Sequence, residues 1–193
     1  MGAEIYKQLY YFFIIGGGTY VWSVLPFHLC SMALYICPAV VLLKSQKARQ
    51  ILYDFLFIYG TLGGLAVYIF PHSVLTEHLT IVIHSLIWHM LLIFLGFYLL
   101  LSGRVSFIRG SYKKATFLLF LLCIAAFIIN CLVFITTSER ISMFFVGPHI
   151  PDAVILKDIA EKCGWLISSI VCIAALALGG YLIYMPFYKL SKK

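Results

Sequence analysis

Charged residues are scarce in this sequence. Of its 193 residues, 11% are charged and only seven are acidic, whereas 63% are hydrophobic. A soluble domain has about 45–50% apolar residues, and an excess of this size does not fit inside the core of so short a chain. Lipid must cover the remainder. The composition therefore argues against a soluble domain and predicts an all-α, polytopic membrane protein.

The sequence also lacks the patterns that indicate a nucleic-acid partner or a bound cofactor. The net charge is +7, but the basic residues form short clusters between apolar runs, as membrane topology requires. The six cysteines include no CxxC pair, and no two histidines have the i, i+3 or i, i+4 spacing of metal ligands on one helix face. No glycine loop is present to hold the phosphates of coenzyme A. We therefore expect no metal, no cofactor and no nucleic-acid partner.

Apolar runs near the ~20 residues needed to cross a bilayer divide the chain into predicted spans. Six spans cover about residues 8–24, 26–43, 50–70, 78–102, 115–136 and 164–186, within a single domain of residues 1–193. The first run is interrupted by Gly16, Gly17 and Gly18, and Pro26 suits the first helical position of the second. The outer loop, 137–162, is long for a small bundle. We expect this loop to lie on the membrane surface or to cover a site.

Basic residues predict the orientation of these spans. Eleven of the fourteen lie at one set of span ends: Lys7, Lys44, Lys47, Arg49, Arg104, Arg109, Lys113, Lys114, Lys189, Lys192 and Lys193. The opposite ends hold Arg140, Lys157 and Lys162, beside acidic residues that include Asp152. Cytoplasmic loops carry the excess of Lys and Arg. Six spans then predict an integral membrane protein with the N- and C-termini in the cytoplasm.

The histidines are concentrated on or near the half of the protein away from the basic ends. The six are His28, His72, His78, His84, His89 and His149. His84 lies about 10 Å inside span four at 1.5 Å per residue, where an ionisable group usually faces a cavity or a partner. An interhelical hydrogen bond is its alternative role. His89 is turned by about 140° around the helix from His84, and we expect it to be structural.

The stretch LPFHLCSMALYICP, residues 25–38, places a histidine and a cysteine at the start of span two. In a helix that begins at Pro26, Cys30 lies near the positive end, which favours a thiolate. A nearby imidazole would assist more, by accepting the thiol proton. His28 lies on the other side of an ideal helix, whereas His84 reaches Cys30 only if spans two and four pack together. An inert buried thiol is the alternative.

These motifs occur in the order found in a known family. The stretch at 25–38, followed by ILYDFLFIYGTLGGLAVYIFP, IVIHSLI and FIINCLVF, resembles the YwaF-like integral membrane proteins of bacteria. Their eukaryotic relatives are described as cysteine-dependent phospholipid acyltransferases. The resemblance extends over about residues 25–186, and it implies a bacterial plasma membrane as the location. It implies Cys30 as the nucleophile and His84 as its base, with a substrate-binding set of His28, Asn130, Tyr59 and Trp88.

The resemblance implies an acyltransferase that moves a fatty acyl group between a membrane phospholipid and a lysolipid through a cysteine thioester. A second hypothesis is a vitamin-type binding subunit of a membrane transporter, which also has six spans in a short chain. It would line a ligand pocket with the outer histidines and with Trp22, Trp88 and Trp165, and it would perform no covalent chemistry. A quinone-linked thiol oxidoreductase would need a cysteine pair that the chain lacks.

Overall fold

The structure is a computed structural model of the chain that describes residues 2–108, 110–151 and 153–192. Arg109, Asp152 and Lys193, used above to predict orientation, lie outside the described residues. The described part contains α-helices and short helical turns and no strand. Its α-helices are α1 (Gly2–Tyr10), α2 (Met32–Leu42), α3 (Gln46–Phe55), α4 (Thr61–Ile69), α5 (Leu79–Leu101), α6 (Ser111–Thr137), α7 (Val154–Cys163) and α8 (Trp165–Leu190).

Within the described residues, four helical segments are long and apolar enough to cross a bilayer. They are Gln46–Ile69, Leu79–Leu101, Ser111–Thr137 and Trp165–Leu190, and a fifth apolar helix, Leu29–Leu42, is shorter. The first of the four joins α3 to α4 through a π-helical turn, Leu56–Gly60. The all-α, polytopic class is confirmed, with four long spans and one short apolar helix in place of the six spans predicted.

The predicted first span, residues 8–24, is not one continuous helix in the structure. After α1 and one π-helical turn the chain reverses direction near Gly17, whose φ is 56°. Gln8 Nε2 donates to the carbonyl oxygen of Val24 at 2.8 Å, so the two ends of the segment are adjacent. A straight helix of this length would separate them by about 25 Å. The segment is a hairpin because glycine permits the left-handed turn that a continuous helix excludes.

This hairpin places α1 and the last turns of α8 at opposite ends of the bundle. Tyr10 OH lies 3.2 Å from Nδ1 of His78, which directly precedes α5. Tyr184, near the end of α8, donates to the carbonyl oxygens of Ser106 and Ile108, which follow the end of α5. The prediction that both termini are cytoplasmic counted residues 8–24 as a crossing, and the side of the membrane on which each terminus lies stays a prediction.

Glycines in α4 bring two other segments close together. A Cβ on Gly64 would lie 2.8 Å from the carbonyl oxygen of His89, so α4 and α5 are in backbone contact there. A Cβ on the adjacent Gly63 would lie 3.7 Å from the backbone nitrogen of Cys30. α4 is thus packed against α5 on one side and against the cysteine segment on the other.

Asp54 connects two elements at the end of the bundle away from α1. Its side chain is buried, and its Oδ1 accepts from Gln50 Nε2 at 2.9 Å and from the backbone nitrogen of Ser106 at 2.8 Å. Buried carboxylates need such partners. The contact fixes the loop between α5 and α6 to α3.

Part of the predicted outer loop is helical. α7 occupies Val154–Cys163 and packs on α8, where Ser168 Oγ donates to the carbonyl oxygen of Leu156 at 2.8 Å. Val154 and Ile155 are exposed on α7, whereas Ala160 is buried. An exposed apolar face on a short polar helix is typical of a helix at the membrane surface.

Candidate functional site

Cys30 lies in a 3-10 turn, Leu29–Ser31, that precedes α2. It is a free, half-buried thiol. The helix therefore begins later than the predicted Pro26, because His28 has extended backbone angles, with φ of −102° and ψ of 165°. Trp88 Nε1 donates to the carbonyl oxygen of Cys30 at 3.2 Å, which joins the cysteine turn to α5.

His84 lies on α5 one turn before Trp88 and on the same face. Its Nε2 atom is buried and has no hydrogen-bond partner among the described residues, although the backbone of Ala3 in α1 interacts with the ring. No bond from Nε2 to the Cys30 thiol is therefore formed in this structure. An unsatisfied buried polar atom costs about 1–3 kcal/mol, and such an atom calls for an explanation, of which a catalytic role is one.

The polar side of α1 covers this region. The charges of Lys7 and Glu4 act on both Cys30 and His84. Lys7 Nζ lies 2.8 Å from Glu4 Oε1, and both side chains are largely shielded from solvent. Sequence reasoning placed Lys7 at the opposite membrane face and missed this pair. The signal was the helical i, i+3, i+4 spacing of Glu4, Lys7 and Gln8, which marks a polar face rather than a span.

Two phenylalanines of the loop after α6 pack against the residues that precede Cys30. Phe144 and Phe145 have φ of 54° and 55°, which is unusual for bulky residues and costs about 1–3 kcal/mol each. The Phe144 ring centroid is 6.0 Å from that of Phe27, and the Phe145 centroid is 6.5 Å from that of His28. His28 Nε2 lies 3.4 Å from the carbonyl oxygen of Ser23. The loop therefore packs against the residues that lead into Cys30.

Asn130 holds this loop in place. It is fully buried in α6, and its Nδ2 donates to the carbonyl oxygens of Met143 and Val146. Its Oδ1 accepts from the backbone nitrogen of Met143 at 2.9 Å. Both the nitrogen and the oxygen of the amide thus bond to backbone groups of the loop, and these bonds hold the segment that carries Phe144 and Phe145 in position.

Tyr59 and His89 make structural contacts. The Tyr59 hydroxyl lies 2.7 Å from Thr116 Oγ1, between α4 and α6. The Nδ1 atom of His89 lies 2.7 Å from the carbonyl oxygen of Ser85 in its own helix. Of the predicted site residues, the structure brings Cys30, Trp88, His84 and His28 to one region and places Asn130 and Tyr59 in supporting positions.

The assembled side chains offer a thiol, two imidazoles and a nearby ion pair. Among the residues that the structure describes, no three or more His, Cys, Asp or Glu side chains are grouped to hold a metal ion. All six cysteines are free thiols. A cysteine nucleophile and its base need an imidazole within hydrogen-bond reach of the thiol, and the printed link between the Cys30 turn and the helix of His84 is the hydrogen bond from Trp88.

Comparisons with known proteins identify a family. Neither the curated proteins nor the solved structures contain a match for the chain. The model of the TMEM164 family, however, matches residues 1–184, which include the α1 hairpin, the Cys30 turn, the first three long spans and most of the fourth. The YwaF-like name is not the one that this match supports, although both are families of membrane proteins. The chain is an integral membrane protein that belongs to the TMEM164 family.

Proposed function

We propose that the protein is a membrane acyltransferase in which Cys30 carries the acyl group and His84 is the general base. The observation that carries the proposal is the buried His84 Nε2 atom without a partner. It lies on the face of α5 that also presents Trp88 to the Cys30 turn. Ionisable groups within a span are costly and are usually functional, and an imidazole near a thiol activates it.

The reaction has two half-steps that share these groups. His84 accepts the thiol proton, and the Cys30 sulfur attacks the ester carbonyl of a phospholipid. The bond from the acyl carbon to the glycerol oxygen breaks, and that oxygen takes the proton from the His84 imidazolium. A lysolipid hydroxyl then attacks the thioester while His84 accepts its proton. The Cys30 thiolate leaves and recovers that proton, so the enzyme returns to its starting state.

The neighbouring charge of Lys7 supports the first step. It acts on the Cys30 sulfur in the direction that favours a thiolate, whereas burial and the paired Glu4 act against it, so the imidazole must supply most of the activation. His28 is the other imidazole of the region, but its Nε2 already faces the carbonyl oxygen of Ser23 at 3.4 Å. His84, whose Nε2 is unengaged, is therefore the better base.

The distribution of basic residues supports an orientation of the bundle in the membrane. Eight described basic residues lie near the end that holds Asp54: Lys44, Lys47, Arg49, Arg104, Lys113, Lys114, Lys189 and Lys192. Because cytoplasmic segments carry the excess of Lys and Arg, this end faces the cytoplasm. Cys30 and α1 then lie toward the opposite leaflet, from which the lipid substrate enters.

The test compares two cysteines in native membranes. Cys30→Ala should abolish acylation by a labelled phospholipid and transfer to lysolipid, whereas Cys131→Ala, on α6, should retain both. His84→Gln should slow transfer by about 10²-fold or more, the range for loss of a general base, while Cys30 still reacts with a strong alkylating agent. Transfer that persists in Cys30→Ala refutes the proposal. If no variant or wild type transfers acyl groups but all bind a small ligand, the transporter-type binding subunit is favoured instead.

A further inference from the structure

An apolar groove of about 360 Å³ runs between α2 and α5. Its floor and walls include Ala33, Cys37, Pro38, Trp88, Leu95 and Tyr98. Only 28% of the most apolar 18-residue stretch of α5 is buried inside the protein, so the groove opens to the lipid side. It is therefore a surface that acyl chains contact in the membrane.

Local sequence explains the shape of the groove. Ala33 is small and buried at its floor, so α2 presents a depression there. Pro38 lies inside α2, where its ring disturbs the helix that would otherwise pack evenly along α5. The larger residues of α5 line the opposite wall, with Trp88 nearest the candidate site and Tyr98 farthest from it.

We propose that this groove holds the acyl chain that Cys30 carries, an inference that rests on the proposed acyltransferase function. Continuity with the candidate site is the first argument. Trp88 both lines the groove and donates to the carbonyl oxygen of Cys30 at 3.2 Å, so the groove begins beside the cysteine turn. A chain attached to the Cys30 sulfur therefore has an apolar path along α5.

The length of the groove is the second argument. Trp88 and Tyr98 are ten residues apart on α5, which corresponds to about 15 Å. This is half of the ~30 Å hydrocarbon core, the depth that one acyl chain occupies. The chain would extend from Cys30 toward the basic end of the bundle, and the side chains near Tyr98 would limit its length.

Photo-crosslinking tests occupancy without requiring transfer. The full-length protein in nanodiscs is irradiated with a phosphatidylcholine that carries a diazirine near the end of its acyl chain. We expect crosslinks to concentrate on α2 and on residues 88–98 of α5. Leu95→Trp, which fills the groove, should reduce them severalfold, whereas Phe120→Trp, on the exposed face of α6, should leave them unchanged. An even distribution over the lipid-facing helices, or no change in Leu95→Trp, overturns the proposal.

Transfer assays test the role of the groove in chain selection. Leu95→Trp should lower transfer of stearoyl relative to lauroyl chains by about tenfold or more, as a shortened apolar pocket does. Cys37→Phe, at an exposed groove position, repeats the test if Leu95→Trp does not fold. Equal loss for both chain lengths in a folded variant overturns chain selection. If Cys30→Ala retains transfer, the acyltransferase proposal itself fails, while the crosslinking result still decides whether the groove holds a chain.

Discussion

The indole N–H of Trp88 donates to the carbonyl oxygen of Cys30 across 3.2 Å. This single contact joins an irregular 3-10 turn to the middle of a long span. It places the cysteine turn beside the face of α5 that carries His84, although Cys30 and His84 are 54 positions apart in the sequence.

Replacing Trp88 by Phe tests this contact. A six-membered aromatic ring is kept, while the donor and the five-membered ring are lost, so the Cys30 turn should open more often and the stability should fall by about 1–3 kcal/mol. Alkylation of Cys30 by a thiol reagent should become faster in detergent. Trp165→Phe, in a partly exposed tryptophan that stacks on Phe127, is the control and should alkylate at the wild-type rate. Equal acceleration in both variants would contradict the role of the bond.

Labelling of single cysteines tests the hairpin topology. In a background without the native cysteines, Gly2→Cys and Thr76→Cys should react with a membrane-impermeant maleimide from one side of sealed vesicles, and Lys192→Cys from the other. The reason is that the hydrogen bond from Gln8 to Val24 returns the chain to the end from which it started. Labelling of Gly2→Cys and Lys192→Cys from the same side would support six crossings instead.

Asn130→Ala should destabilise the fold through the loop after α6. It removes the partner of the Met143 backbone nitrogen and of the Met143 and Val146 carbonyl oxygens. With a net value of about 1 kcal/mol for each hydrogen bond and a penalty for unpaired groups, the loss should be about 2–4 kcal/mol. Thermal unfolding in detergent measures it. Thr136→Ala, an exposed residue bonded only to its own helix, should change stability by less than about 0.5 kcal/mol, and equal midpoints would refute the role of Asn130.

Two glycines in the membrane should respond oppositely to alanine. A Cβ on Gly180 would lie 2.7 Å from Tyr59 Cε1 and 2.9 Å from Ile58 Cγ2, whereas one on Gly60 would meet nothing within 4 Å. Gly180→Ala should cost about 1–3 kcal/mol, because the buried ring must move. Gly60→Ala should be neutral or stabilising by up to about 1 kcal/mol. Unfolding by heat or by denaturing detergent compares them, and a stable Gly180→Ala variant would show that α8 can shift away from Tyr59.

His149 should make stability depend on pH. It lies in the loop after α6, where burial and then the charge of Arg140 lower its pKa from the ordinary 6.5. Because the pKa in the folded state is below that in the unfolded state, the unfolded state binds the proton first as pH falls. Stability should therefore be constant above about pH 6.5 and should decline below it. His149→Gln should flatten this part of the profile, and an unchanged slope would assign the decline to other groups.

The later spans could be predicted from hydrophobicity alone. The segments predicted at 50–70, 78–102, 115–136 and 164–186 lie within a few residues of helices found at Gln46–Ile69, Leu79–Leu101, Ser111–Thr137 and Trp165–Leu190. Long apolar runs leave few alternatives in lipid, because every backbone group must be satisfied within the helix. The ends differ because side chains, such as that of Ser45 at the start of α3, decide where a helix begins.

The α1 hairpin and the α2 start could not be predicted in this way. Mean hydropathy over residues 8–24 cannot predict the hydrogen bond that the Gln8 side chain donates to the carbonyl oxygen of Val24. Likewise, Pro26 permits a helix but does not require one, and tertiary contacts select the 3-10 turn at Cys30. The packing of that turn and of α5 against α4 depends on Gly63, which contacts the Cys30 backbone, and on Gly64, which contacts His89 and Ile93. Residue spacing along the chain does not predict such contacts between distant segments.

The π-helical turn Leu56–Gly60 sets how far α4 is rotated about the helix axis relative to α3. Winding the same residues as a regular α-helix would turn everything beyond it by about 100°. Gly63 would then point away from the Cys30 turn, while Asp54, before the turn, would keep its contact with Ser106. The angular setting of the cysteine end is thus fixed locally by five buried residues, independently of how the opposite end is anchored.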